Sequence, residues 1–151
     1  MYLFLDGQYH AARQGTDEKE GVLSAYAILE DGRPILLHLD LGPRESYDAW
    51  LSFLQDMVAR GLKDPLLVIF DGAPGLHKAV KRMWPRAFRQ RCQVHKMRNI
   101  LAKLPRAMQG QMKRLVQQVF LASSHAHSSA AVTLIAQFRD RYPVAMECLG
   151  R

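Results

Sequence analysis

Between Pro65 and the pair Asp71-Gly72 the chain reads Leu66-Leu67-Val68-Ile69-Phe70, five apolar residues with no polar alternation. A run this short, bounded by turn formers, is the pattern of a strand covered on both faces. Strands of that kind belong to parallel sheets, and a parallel neighbour is reached only by a crossover, usually a helix. The flanking sequence supplies two helices. Before the run, Tyr47, Trp50, Leu51, Leu54, Met57 and Val58 fall at i, i+3, i+4, i+7, i+10 and i+11, one continuous apolar stripe. Ser46 can cap that helix, Asp48 suits its positive end, and Gly61 stops it. After the run, Leu76, Ala79, Val80 and Met83 point one way and Lys78, Lys81 and Arg82 the other, and Pro85 ends the segment.

The rest of the chain fills in around this βα core. Met1 to Leu5 reads as a strand ending in a turn at Asp6-Gly7, and residues 14 to 20 read as a polar loop. Val22 to Leu29 and Ile35 to Leu41 are strand candidates joined by the hairpin signal Asp31-Gly32. Ala87 to Arg91 is a short fifth strand. From Cys92 the pattern is helical, broken near Pro105, softened around Ser123 to Ser129, and ended before Pro143. The order β-β-β-α-β-α-β-α predicts an α/β fold, a mixed sheet with helices on its faces. A three-stranded meander followed by alternating helix and strand is the order of the ribonuclease-H-like fold. Residues 1–104 are assigned to a domain of that kind and 105–151 to a helical segment.

Charge divides the chain more sharply than its net +7 suggests. Residues 1–71 carry 12 acids against 6 bases, whereas residues 72–151 carry 2 acids against 15 bases. From Gly72 to Arg139 there is no acid at all, against 13 lysines and arginines. Phosphate neutralisation is what such a surface does best, so the second half is expected to meet a nucleic acid. No apolar run approaches the ~18 residues of a membrane span, and the first ten residues lack the basic start of a signal peptide. Two cysteines, Cys92 and Cys148, are too few for a disulfide framework and point to a reducing, cytoplasmic setting.

Two residues stand out chemically. Asp6 and Asp71 each follow an apolar run and precede a glycine. If the first and fourth strands are parallel neighbours, both carboxylates leave the same edge of the sheet, where ligand and metal sites of open α/β sheets collect. Mg²⁺ favours carboxylate oxygens and keeps several waters, so two aspartates there make half of a site. The bland alternative is turn chemistry alone. Cys92 and His95 have zinc-ligand spacing, but a structural zinc site needs four ligands. The other candidates, Cys148, His125 and His127, form no second compact pair. Serine-nucleophile hydrolysis has no support, because no G-x-S-x-G elbow is present.

The stretches LDGQYHAAR (5–13), RESYDAWLSFLQDMVARGL (44–62), LVIFDGAPGLHKAV (67–80), WPRAFRQRCQVHKMRNILAKLP (84–105) and RYPVAMECL (141–149) resemble the catalytic region of Mutator-type bacterial insertion-sequence transposases. The resemblance implies a D-D-E transposase, in which two aspartates and a distant glutamate hold Mg²⁺ or Mn²⁺ for phosphodiester hydrolysis and strand transfer during DNA transposition. By position Asp6 corresponds to the first acid and Asp71 to the second. Cys92 and His95 match a C-x-x-H signature thought to line the pocket, and Arg91, Lys96, Arg98 and Asn99 in the same signature are candidate DNA contacts. Implied partners are transposon-end and target DNA, with a homo-oligomer or a mixed oligomer with full-length transposase, in a nucleoid-associated location and not at a membrane. The family's third acid lies in a glutamate-arginine motif that is not found here; Glu147 belongs to the segment before it, and Asp140 matches nothing catalytic. The resemblance thus implies that 1–104 is a partial catalytic domain and 105–151 the start of a helical insertion, an incomplete core, and the chain is expected to be catalytically incomplete alone. Without the helix that carries the third acid, apolar surface from Leu3, Leu5, Leu67 and Ile69 is expected to be exposed.

Overall fold

The computed structural model describes residues 1–11, 19–42 and 46–150. Most of the loop expected at 14–20, and Arg44 and Glu45 of the family-like stretches, lie outside the described residues. The element order is β1 (Tyr2–Ala11), β2 (Lys19–Ile28), β3 (Pro34–Gly42), α1 (Tyr47–Ala59), β4 (Leu67–Phe70), α2 (Pro74–Met83), β5 (Phe88–Arg91), α3 (Gln93–Leu101), α4 (Arg106–Leu121), α5 (Ser124–Phe138) and α6 (Pro143–Gly150). The chain divides into two compact units, Met1–Cys92 and Gln93–Arg151.

The first unit is a five-stranded mixed sheet in the order β3-β2-β1-β4-β5 with α1 and α2 packed on it. β1, β2 and β3 form an antiparallel meander, and β4 and β5 add in parallel on the other side of β1. The β2–β3 turn closes through Gly32, whose φ of 82° suits glycine, and Arg33 clasps Asp31 at 2.7 Å. α1 starts where Ser46 Oγ accepts the Ala49 N–H at 3.1 Å, as the capping pattern predicts, and Gly61 follows its end with φ of 99°. Leu3, Leu5, Val68 and Phe70 from the sheet meet Trp50, Phe53 and Leu54 of α1 and Leu76, Ala79 and Val80 of α2 in one core. Trp84, which follows the last residue of α2, is buried in the same core. Burying each such large side chain stabilises by roughly 1.5–3 kcal/mol before ordering costs are counted.

Three expectations change here. β1 does not end at Asp6-Gly7: it runs on to Ala11, because β2 pairs with it in register from Tyr2 through Ala11. Only its pairing with β4 stops early, at Phe4↔Ile69. Leu3 and Leu5 are not exposed, since α1 and α2 cover their face. Among the described residues of this unit, the large apolar side chains left in the open include Tyr2, Tyr26, Leu36, Leu39, Leu41 and Phe88. β4 is likewise covered fully on one side only: Val68 and Phe70 are buried, whereas Leu67 and Ile69 are half-buried.

The second unit is helical, with its own core of Ile100 from α3, Met112, Val116 and Val119 from α4, Leu134 from α5 and Ala145, Met146 and Leu149 from α6. The break at Pro105 is observed, and Pro105 flanks the start of α4. Two details depart from the sequence pattern. The stretch Ser123 to Ser129 is not soft but opens the fifteen-residue α5, whose Leu134 is held in the core. Pro143 begins a helix rather than only following one, in the first-turn position where its missing N–H costs nothing.

Candidate functional site

The shared edge of β1 and β4 sets the geometry of the two aspartates. The parallel ladder runs Tyr2↔Leu67, Leu3↔Val68 and Phe4↔Ile69. Were this register continued for two residues past its last pair, Asp6 would stand level with Asp71, which follows the end of β4. Alternation along each strand sends Leu3, Leu5, Val68 and Phe70 into the helix-covered core. Asp6 therefore shares the opposite side with Phe4, and Asp71 follows the parity of Ile69. Neighbouring strands lie roughly 4.8 Å apart, close enough for two carboxylates at one level to share a cation.

Each aspartate is held by its surroundings. The Gln8 amide donates to Asp6 Oδ2 at 3.0 Å, and the Ser24 hydroxyl of β2 donates to the Asp6 carbonyl at 3.1 Å. Asp71 lies just past β4 and uses Oδ1 to accept the Ala73 N–H at 2.9 Å, a local turn that leads into α2. Both carboxylates are half-buried. Gly72 is needed between Asp71 and α2, with φ of 92° and the Arg91 guanidinium packed so close that a Cβ would lie 2.7 Å from Nε. Arg91, the last residue of β5, donates from Nη2 to the Asp71 carbonyl at 3.3 Å, while its Nε is buried without a hydrogen-bond partner among the described residues. Cys92 anchors the same corner by donating its N–H to the Phe70 carbonyl at 2.7 Å. The first unit thus gathers Asp71, Arg91 and Cys92 at the C-terminal ends of β4 and β5, with Asp6 in mid-β1, two residues past the last pair of β1 with β4.

His95, Lys96, Arg98 and Asn99 lie on α3 in the second unit. His95 and Lys96 are half-buried, with His95 Nδ1 shielded from solvent, and Arg98 and Asn99 are exposed. Cys92 and His95 fall on either side of the division between the units. Among the described residues no three histidine, cysteine, aspartate or glutamate side chains gather as a complete metal cage. Two carboxylates nevertheless suit Mg²⁺, which is commonly held by one or two carboxylates with waters and substrate phosphates completing its shell. The role of Arg91 as a brace for the Asp71 turn was not foreseen. Its only trace in sequence is a glycine after Asp71 and an arginine at the end of the next strand.

The model of the family "Transposase, Mutator family" matches residues 1–151. The chain belongs to the Mutator family of transposases. Curated relatives of this Mutator-family chain include the transposase for insertion sequence element IST2 of Acidithiobacillus ferrooxidans, 35% identical over 91% of this chain and 47% of its own length. The transposase for insertion sequence element IS6120 of Mycolicibacterium smegmatis is 34% identical over 97% of this chain and 45% of its own. That for insertion sequence element ISRM5 of Rhizobium meliloti is 42% identical over 70% of this chain and 27% of its own. The Mutator-family chain thus spans less than half the length of these relatives. Among solved structures it is similar to a chain in the cryoEM structure of a simian T-cell lymphotropic virus intasome in complex with PP2A regulatory subunit B56 gamma. That similarity has a TM-score of 0.43 at 11% identity, over 98% of this chain and 46% of the other. No helix among the described residues is long and apolar enough to cross a membrane.

Proposed function

We propose that this chain is part of a DNA transposase whose Asp6 and Asp71 hold Mg²⁺ or Mn²⁺ for phosphodiester hydrolysis and strand transfer, in a ribonuclease-H-like catalytic core. The observation that carries this reading is the parallel pairing of β1 with β4, which ends two residues before Asp6 on one strand and two before Asp71 on the other, in a chain of the transposase family. The strand order β3-β2-β1-β4-β5, a meander extended by two parallel crossovers, supports the fold assignment. Divalent ions bound there would activate water or a 3′-hydroxyl and stabilise the leaving oxygen. The chain's own residues present the acceptor oxygens and fix their positions: Gln8 steadies Asp6, and the Ala73 N–H and Arg91 steady the Asp71 turn.

With two acids and no third in reach among the described residues, strand transfer by this chain alone is weak or absent. Arg91, Cys92, His95, Lys96, Arg98 and Asn99 are proposed to contact DNA or line the pocket. Transposon-end and target DNA are the proposed partners, together with further transposase subunits in a homo-oligomer or mixed oligomer, at the bacterial nucleoid. Calorimetric titration with Mn²⁺ tests the metal reading: wild type binds, and Asp6→Asn and Asp71→Asn each lose binding. Equal binding by all three proteins contradicts it.

A second reading has its own support. The acid-free stretch from Gly72 to Arg139 favours a non-catalytic, regulatory DNA-binding fragment. On that reading DNA affinity persists in Asp6→Asn and falls steeply with salt. Absence of duplex binding at ~50 mM salt excludes it.

A further inference from the structure

On the helical side of the first unit, α1 and α2 enclose a groove of about 500 Å³. Tyr47 and Gln55 line it from α1, Lys78, Lys81 and Arg82 line it from α2, and Leu51 adds an apolar contact. We infer that this groove is a second DNA-backbone subsite that holds the phosphates of duplex DNA away from the Asp6–Asp71 edge. It takes from the proposed function only the identity of the polyanion.

Four observations support it. Lys78, Lys81 and Arg82 stand at i, i+3 and i+4 on one face of α2, and none forms an ion pair among the described residues. Three like charges within one turn repel one another, so an anion between them relieves the strain. The negative end of the helix dipole suits Lys81 and Arg82 in the last turn but does not account for Lys78 one turn earlier. Lys78 is also fixed in place, with Nζ 4.6 Å from the centre of the Tyr47 ring.

Spacing and hydrogen-bonding chemistry agree. From Lys78 to Arg82 the helix rises about 6 Å, so the three cations present a short, continuous basic strip to a phosphate backbone. The Tyr47 hydroxyl and Gln55 amide can donate to phosphate oxygens, as such side chains commonly do at DNA backbones. Among the described residues no acid lines the groove, and Asp48, next to Tyr47 in α1, is not part of it. Backbone phosphates are the same at every base pair, so a subsite that takes phosphates alone holds DNA without regard to sequence.

Duplex DNA binding by the whole chain, followed by fluorescence anisotropy across a salt series, tests the inference. Each phosphate contact contributes about 0.9 to the slope of log K against log salt. The variant K78Q/K81Q/R82Q is expected to lose about 2–3 from that slope and at least tenfold in affinity at ~50 mM salt. The charge-preserving variant K78R/K81R/R82K keeps both. The series is run in EDTA without divalent cations, so a failure of the metal reading leaves this result unaffected. Should the triple glutamine variant lose its native tryptophan emission, Lys81→Gln and Arg82→Gln singly are expected to remove about 1 each. A folded glutamine variant with the wild-type slope overturns the subsite, as does a wild type that does not bind duplex DNA at all.

Discussion

Gly75→Ala decides between two opposed physical effects. Gly75 is the second residue of α2, and in a helix alanine is worth up to about 1 kcal/mol over glycine. Propensity alone therefore predicts a more stable protein. The structure predicts the reverse. A Cβ at residue 75 would lie 2.9 Å from the Tyr47 nitrogen, 3.3 Å from the Ser46 carbonyl carbon and 3.4 Å from the Tyr47 Cα. These are backbone atoms at the start of α1, so no side chain can swing aside; α1 and α2 must separate. Overpacking of this kind costs about 1–3 kcal/mol. The gain is smaller than usual in the first turn, so a net loss of about 1–2 kcal/mol is expected. For a unit of this size each kcal/mol lowers the Tm by about 4–8 °C. Both tryptophans, Trp50 and Trp84, lie buried in the first unit, so tryptophan emission during thermal unfolding reports that unit directly. A Tm equal to or above wild type would refute the close approach of the two helices.

Gly72→Ala should lower the same transition by about 1–2 kcal/mol, because an L-residue resists positive φ and the Arg91 guanidinium occupies the Cβ position; an unchanged midpoint in urea would contradict the brace at Asp71. Met112→Ala removes a fully buried side chain from the helical core and should cost about 2–5 kcal/mol, seen as an earlier loss of helical circular dichroism. Asp31 is held below its ordinary 3.8, first by the Arg33 N–H and then by the Arg33 side chain. Its folded pKa is depressed, so the small stabilisation from this exposed turn is present above 3.8 and fades as pH falls through the lowered value. An NMR titration placing Asp31 at or above 3.8 in wild type, or finding no rise toward it in Arg33→Ala, would contradict that assignment.

The elements near Leu66 to Phe70 were legible because several local signals agree there: a short apolar run, a capped amphipathic helix before it and a proline-terminated helix after it. Other features depended on partners that are distant in sequence. Asp6-Gly7 has the look of a turn, yet β2 pairs past it and keeps β1 extended to Ala11. The face that α1 and α2 choose is set by which of two similar apolar sides they cover. Leu3 and Leu5, expected in the open for want of the helix that carries the third acid, are buried under α1 and α2, whereas Leu36, Leu39 and Leu41 of β3 are exposed. The serines at 123 to 129 weaken helix propensity locally, but Leu134 further along holds α5 in its core. For the candidate site, the sequence indicated the two aspartates through apolar run, acid and glycine. It did not reveal Arg91 against Gly72, because side-chain proximity across β4 and β5 leaves no periodic trace.

The central claim is that Asp6 and Asp71 share one cation. Crystals of the whole chain soaked in Mn²⁺, with data collected for anomalous scattering, test it most directly. The account predicts a manganese peak bonded to one carboxylate oxygen from each aspartate. A peak elsewhere, or carboxylates more than ~10 Å apart where metal-pair chemistry works at about 4 Å, would contradict it.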